Sequence, residues 1–159
     1  MVSSNEYKKS RAQITYRIPR DYLLLLKSCK SVFDSRQMRK QYYHKRSANG
    51  WLVWDVHNLV ERSKNLPVFE IPISEISELS GDYWYQGDSD IPTCRSIVEH
   101  MKLVLECDLK YPIILAADGS VMDGMHRACK AYLNELSNIK AVRFKVTPKP
   151  DFINLTQMI

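Results

Sequence analysis

A five-residue polar island, Asp123-Gly124-Met125-His126-Arg127, separates two apolar runs of different period. Before it stand Tyr111-Pro112-Ile113-Ile114-Leu115-Ala116, a turn at Asp118-Gly119, and Ser120-Val121-Met122. These read as a strand, a tight turn and a second short strand. After it, Met125, Ala128, Cys129, Tyr132, Leu133 and Leu136 fall at helical spacing. The chain must therefore change from strand to helix inside the island, with Gly124 at the junction. Glycine permits close approach to the backbone there. The first amides of a helix have no intrahelical partner and carry partial positive charge. His126 and Arg127 add side-chain donors in the first turn, so the arrangement suits an anion, most naturally a phosphate. The plainer reading is a turn followed by a surface His and Arg.

The rest of the second half supplies a matching set of elements. Residues 69–76 read as a strand leading into a turn. Residues 95–108 read as a helix, with Ile97, Met101, Val104 and Leu105 on one stripe. A last strand is expected over 142–146, where Val142, Phe144 and Val146 alternate with Arg143 and Lys145. The predicted fold is α/β of the α+β kind: a small mixed sheet with strands at 113–115, 121–122 and 142–146. The helix beginning near Met125 should pack on it through Ala128, Tyr132 and Leu136.

This order of elements resembles the ParB N-terminal/sulfiredoxin-like superfamily over residues 67–147, and most specifically over 111–131. Three branches differ in the residues after the glycine. ParB partition proteins carry Gly-Glu-Arg-Arg-x-Arg and bind a cytidine nucleotide; here Met125, His126 and Cys129 replace three of those residues. Sulfiredoxins carry Gly-Cys-His-Arg with a catalytic Cys, and Met125 stands in its place. The ADP-dependent free-serine kinases carry Asp-Gly-His-His-Arg, which Asp123, Gly124, His126 and Arg127 match. The resemblance thus implies a nucleotide ligand, ADP or ATP, with magnesium as its companion ion. The reaction it implies is that of a small phosphotransferase or phosphohydrolase. Gly124, Met125, His126 and Arg127 would bind the nucleotide. His126 would contact phosphate or move a proton, and Asp123 would hold magnesium or orient His126.

The kinase-like members use an acid as base on the acceptor hydroxyl. The loop over residues 80–90 offers Asp82, Asp88 and Asp90, of which Asp82 is taken as the candidate; Glu75 is a further acid, and Trp84 is expected to cover a base or substrate. The plainer reading is a surface loop with one aromatic anchor and a helix cap at Asp90 or Thr93.

Charge divides the chain. Residues 1–64 hold 14 Lys/Arg against 5 Asp/Glu, whereas residues 65–159 hold 9 against 13. The expected organisation is a basic, mainly helical extension over 1–66, the core over 67–147, and a tail over 148–159. In the extension, Ile14, Tyr16 and Ile18 alternate like a short strand. A helix follows Pro19, with Tyr22, Leu25, Leu26, Cys29, Val32 and Phe33 on one face. The basic stretch 36–46 continues it, and a second helix starts at Asp55 with Val56, Leu59 and Val60 inward. Arg36, Arg39, Lys40 and Arg46, with Tyr42 and Tyr43 as stacking rings, invite nucleic acid as an alternative partner. That alternative is a non-catalytic ParB-related module binding DNA or protein. A solvated helix face is the plainer reading. Few residues follow 147, so the DNA-reading helices of partition proteins are not expected.

Cysteines at 29, 94, 107 and 129 lack Cys-x-x-Cys spacing and read as free thiols. His126 and Cys129 supply only two ligands where structural zinc takes four, so no metal centre is expected from them. The longest leucine run, 23–26, is far short of the roughly 20 residues that span a bilayer. With no apolar leader at the start, the expectation is a cytoplasmic protein with no membrane partner.

Overall fold

Strand formation at Ile113-Ile114-Leu115 organises the protein, because every residue in this run is buried. A computed structural model describes residues 40–48, 50–86 and 91–154. The expected strand over 14–18, the helix bearing Tyr22 to Phe33, and Arg36, Arg39, Asp88 and Asp90 lie outside the described residues. The described elements are β1 (Tyr42–Ser47), β2 (Gly50–Asp55), α1 (Val56–Ser63), β3 (Phe69–Pro72), two 3-10 turns (Ile73–Glu75 and Ser77–Ser80), α2 (Cys94–Glu106), β4 (Ile113–Leu115), β5 (Val121–Asp123), α3 (Met125–Leu133), β6 (Asn138–Arg143) and β7 (Phe152–Asn154). They make an α+β fold with two small sheets, ordered β1-β2-β7 and β3-β6-β4-β5. The four-stranded sheet is mixed: β4 runs parallel to β6 and antiparallel to β5, and β3 runs antiparallel to β6.

Side chains alternate across β4, and both faces are covered. Ile113 and Leu115 join Ile71, Val121, Ala141 and the buried side of α3 (Met125, Ala128, Ala131). Ile114 and Ala116 join Met122, Val142 and Phe144 with Trp54 from β2 and Leu59 from α1. A sheet buried on both sides needs two covering layers. Residues 50–63 supply one of them and belong to the same unit as the island, which spans Arg39–Ile159.

Several local expectations are corrected. Residues 42–46, expected to continue a basic helix, form β1. Tyr43 and Lys45 turn inward there while Tyr42, His44 and Arg46 are exposed, a period of two that pairing with β2 fixes. The C-terminal tail contributes β7. It is tied by Asp151, which accepts from the Asp55 amide, Asn58 and Arg62, and by the Pro148 carbonyl, which accepts from Trp54 Nε1 at 2.8 Å. The last strand of the core runs over Asn138–Arg143 rather than 142–146; Phe144 is buried but Val146 is exposed. On α3 the buried residues are Met125, Ala128 and Ala131, whereas Tyr132 is 68% exposed and Leu136 is exposed. Small alanines let α3 lie close to the sheet, and that rotation turns Tyr132 outward. On α2 only Val104 of the expected stripe is buried, because α2 packs on α3 and not on a sheet. Thr93 and Ser96 form its capping box, and Lys130 of α3 donates to the Leu105 and Cys107 carbonyls at its end. At the free side of β5, the Val121 amide donates to Glu78 Oε1 at 2.8 Å and its carbonyl accepts from the Tyr83 hydroxyl at 3.1 Å. The helix expected from Asp55 is present as α1, with Asp55 accepting from the His57 amide.

Lys45 of β1 meets Asp118 of the β4–β5 turn at 2.8 Å. The Lys45 ammonium, then the Ser120 hydroxyl and amide, hold the Asp118 carboxyl well below the usual carboxylate range. A depressed carboxylate stabilises the fold above its unfolded pKa of about 4, and that contribution is lost as pH falls below it. Asp118→Asn should therefore flatten the acid limb of stability measured by urea unfolding from neutral to acid pH. Leu59→Ala, fully buried under the sheet, should cost about 2–5 kcal/mol in the same assay. A chain cut to 67–147 should show no cooperative thermal transition.

Candidate functional site

The strand-to-helix junction is built by backbone conformation. Asp123 ends β5, and Gly124 is the N-cap of α3 with φ +102° and ψ 18°, a left-handed conformation that favours glycine. A Cβ at Gly124 would stand 2.7 Å from Ile113 Cγ2 and 2.7 Å from an Arg127 terminal nitrogen. The glycine is thus required by close packing on its inner side, not only by its φ.

Arg127 lies behind Gly124. Its guanidinium donates to Asp123 Oδ2 at 2.7 Å and to the Pro112 carbonyl at 3.3 Å, so one side chain ties the start of α3 to both ends of the β4–β5 hairpin. The two side chains are only 18% and 19% exposed. Arg127 Nε is buried without a hydrogen-bond partner among the described residues.

On the other side of the junction a cavity of about 530 Å³ opens between β1, α2 and the start of α3. Asp123, Gly124, Met125 and His126 line it, together with Trp84 and His100. His126 Nε2 and His100 Nδ1 are 3.0 Å apart, so the two imidazoles share a hydrogen bond. The rings are close to coplanar, at 23°, with the Trp84 indole stacked over both: 4.1 Å from His100 and 5.0 Å from His126 between centroids. Tyr85 meets His100 edge-on and bonds to Ser96, fixing the loop against α2. Tyr83, beside Trp84, is anchored on β5, and burial pushes its phenol far above the ordinary range. Comparison with family models, curated proteins and solved structures finds no match for this chain.

The structure thus brings Gly124, Met125, His126, Asp123 and Trp84 together at one cavity. Met125 is also buried in the core. Arg127 is behind the cavity wall, and Asp82 is exposed and outside its lining. Glu75 lies elsewhere, near the β4–β5 turn. Cys129 is half-buried against the core, where burial raises its thiol. Tyr43 is half-buried against the core, its ring 5.4 Å from Trp54, and it also lines the cavity. Sequence reasoning alone does not single out His100. Its one signal is its place four residues before Val104, on the side of α2 that faces the body.

Gly124→Ala should cost about 2 kcal/mol or more of stability, from the left-handed φ and the overlap with Ile113. Arg127→Ala should cost about 1–3 kcal/mol by leaving the Asp123 carboxylate unpaired. Urea unfolding checks both.

Proposed function

We propose that the protein binds a nucleotide in this cavity, with phosphate at the start of α3 and the base against the aromatic wall. One observation carries the reading: a helix N-terminus opened by Gly124 shares a cavity with His126 and with the rings of Trp84, Tyr42 and Trp51. The helix start and an imidazole suit phosphate oxygens. Aromatic rings suit a planar base. The order β3-α2-β4-β5-α3-β6 and the resemblance of the island to the kinase-like loops support the same ligand class, ADP or ATP.

The reaction class that fits is phosphoryl transfer or hydrolysis, with His126 as the proton-handling group. Its bond to His100 gives the proton a second imidazole to pass to, and Trp84 holds both rings in place. Arg127 contributes by setting the direction of α3 through Asp123. That pairing engages one Asp123 oxygen, and no group of three His, Cys, Asp or Glu stands together as metal ligands among the described residues. Magnesium would therefore be held mainly by the nucleotide's own phosphates. No helix among the described residues is long and apolar enough to cross a membrane.

A thermal-shift series with ADP, ATP, CTP and GTP, with and without magnesium, tests the ligand. An adenine nucleotide at a hundredfold excess over its Kd should raise Tm by about 5–10 °C. His126→Ala should weaken binding about tenfold. A flat response to all four nucleotides would refute the proposal.

A further inference from the structure

The outward side of α2 carries an apolar stripe that the nucleotide cavity does not account for. Ile97, Val98, Met101 and Leu105 recur at helical spacing and are 48%, 66%, 42% and 39% exposed. Cys94, one turn before Val98, is exposed as well. Among the described residues, none of these five lines the cavity or joins either core. The inward side of α2 is a different one. Val104 is buried there, and His100 and Leu103 are half-buried at the cavity wall. Four large apolar side chains side by side on one exposed helix face mark a contact surface rather than a solvated one.

Charge indicates what covers the stripe. Along one flank of it stand Arg95, Glu99, Lys102 and Glu106, alternating in sign. Read backwards, the same flank runs minus, plus, minus, plus. A second α2 laid antiparallel about a two-fold axis brings this flank against its own reversed copy. Arg95 then faces the partner's Glu106, and Glu99 faces the partner's Lys102. Within one helix Lys102 lies 3.9 Å from Glu106, with both side chains exposed, a contact that contributes little and can yield to a closer one. In a parallel pair this flank would meet the partner's opposite flank, where α2 offers Val104 and His100 and no carboxylate. Antiparallel packing also opposes the two helix dipoles.

We infer that the protein forms a two-fold dimer through α2, with the stripes of two copies packed antiparallel around Met101. The apolar seam supplies the attraction, and the flanking charges fix the direction and select a second copy of this chain over other partners. A helix of this length spans only about 20 Å, so the interface is small and the dimer a weak one. The inference is independent of the nucleotide reading, because the stripe lies off the cavity.

Sedimentation equilibrium of the full chain, from about 1 μM to about 1 mM, tests it. The mass should rise from one copy to two across this range and go no higher. Val98→Asp should raise the dissociation constant at least about a hundredfold, because an unpaired carboxylate enters the seam. Arg95→Glu should raise it about tenfold, since the two-fold axis doubles each lost pair. Adding Glu106→Arg to Arg95→Glu should restore wild-type association. That double change leaves an acid in the first turn of α2 and a base in the last, where the helix dipole favours them, so the fold is kept. The inference is overturned if the chain stays a single copy at the highest concentration. It is equally overturned if Val98→Asp associates as the wild type does, or if Glu106→Arg fails to rescue Arg95→Glu. A lower melting temperature for Val98→Asp at the dilute end, where the wild type is a single copy, would also overturn it, since the stripe would then be covered within its own chain.

Discussion

Burial of β4 on both faces is the constraint on which the rest of the structure depends. Ile113 and Leu115 need one covering layer, and Ile114 and Ala116 need another. The first is α3, whose alanines let it lie close. The second comes from β2 and α1, well upstream in the chain. Removing fully buried aliphatic side chains costs roughly 2–5 kcal/mol each, so neither layer is dispensable. The demand for a second layer draws β2 and α1 into the core, and β7 from further along the chain pairs with β2.

The same strand fixes the candidate site. Ile113 packs under Gly124, and the Pro112 carbonyl takes a hydrogen bond from Arg127. The start of α3 is thus held by the hairpin beneath it, and its first turn opens onto the cavity. His126 points to that side and Arg127 to the other. Adjacent helical residues do not face the same way, so one member of a His-Arg pair takes the ligand side and its neighbour the structural side. His100 and Trp84 come from separate elements, and their meeting with His126 depends on α2 being carried by α3.

Much of this is legible in the sequence, and the misses have physical causes. The hairpin, the junction at Gly124 and the helix from Met125 can be read because period and turn chemistry agree there. Residues 42–46 mislead because their charges and lack of Gly or Pro permit a helix. Their strand character comes from pairing with Trp51-Leu52-Val53-Trp54, which no local pattern reveals. Spacing alone assigns Tyr132 and Leu136 to the core, yet the alanines set which side of α3 is buried. Asp123 and Arg127 stand four apart, a spacing that announces an ion pair as readily as a phosphate ligand. His100 is 26 residues from its partner, and only tertiary structure brings them together.

The two hydrogen bonds at Val121 have a further consequence. β5 is an outer strand of the four-stranded sheet, and outer strands invite pairing with other chains. Glu78 takes the Val121 amide and Tyr83 fills its carbonyl, so the chain's own side chains occupy the positions where an incoming strand would bond. The carboxylate does so with a negative charge that a foreign backbone would have to displace. The protein thereby blocks recruitment at this edge of its central sheet, and keeps the strand that leads into Gly124 from being drawn out of register by a neighbour.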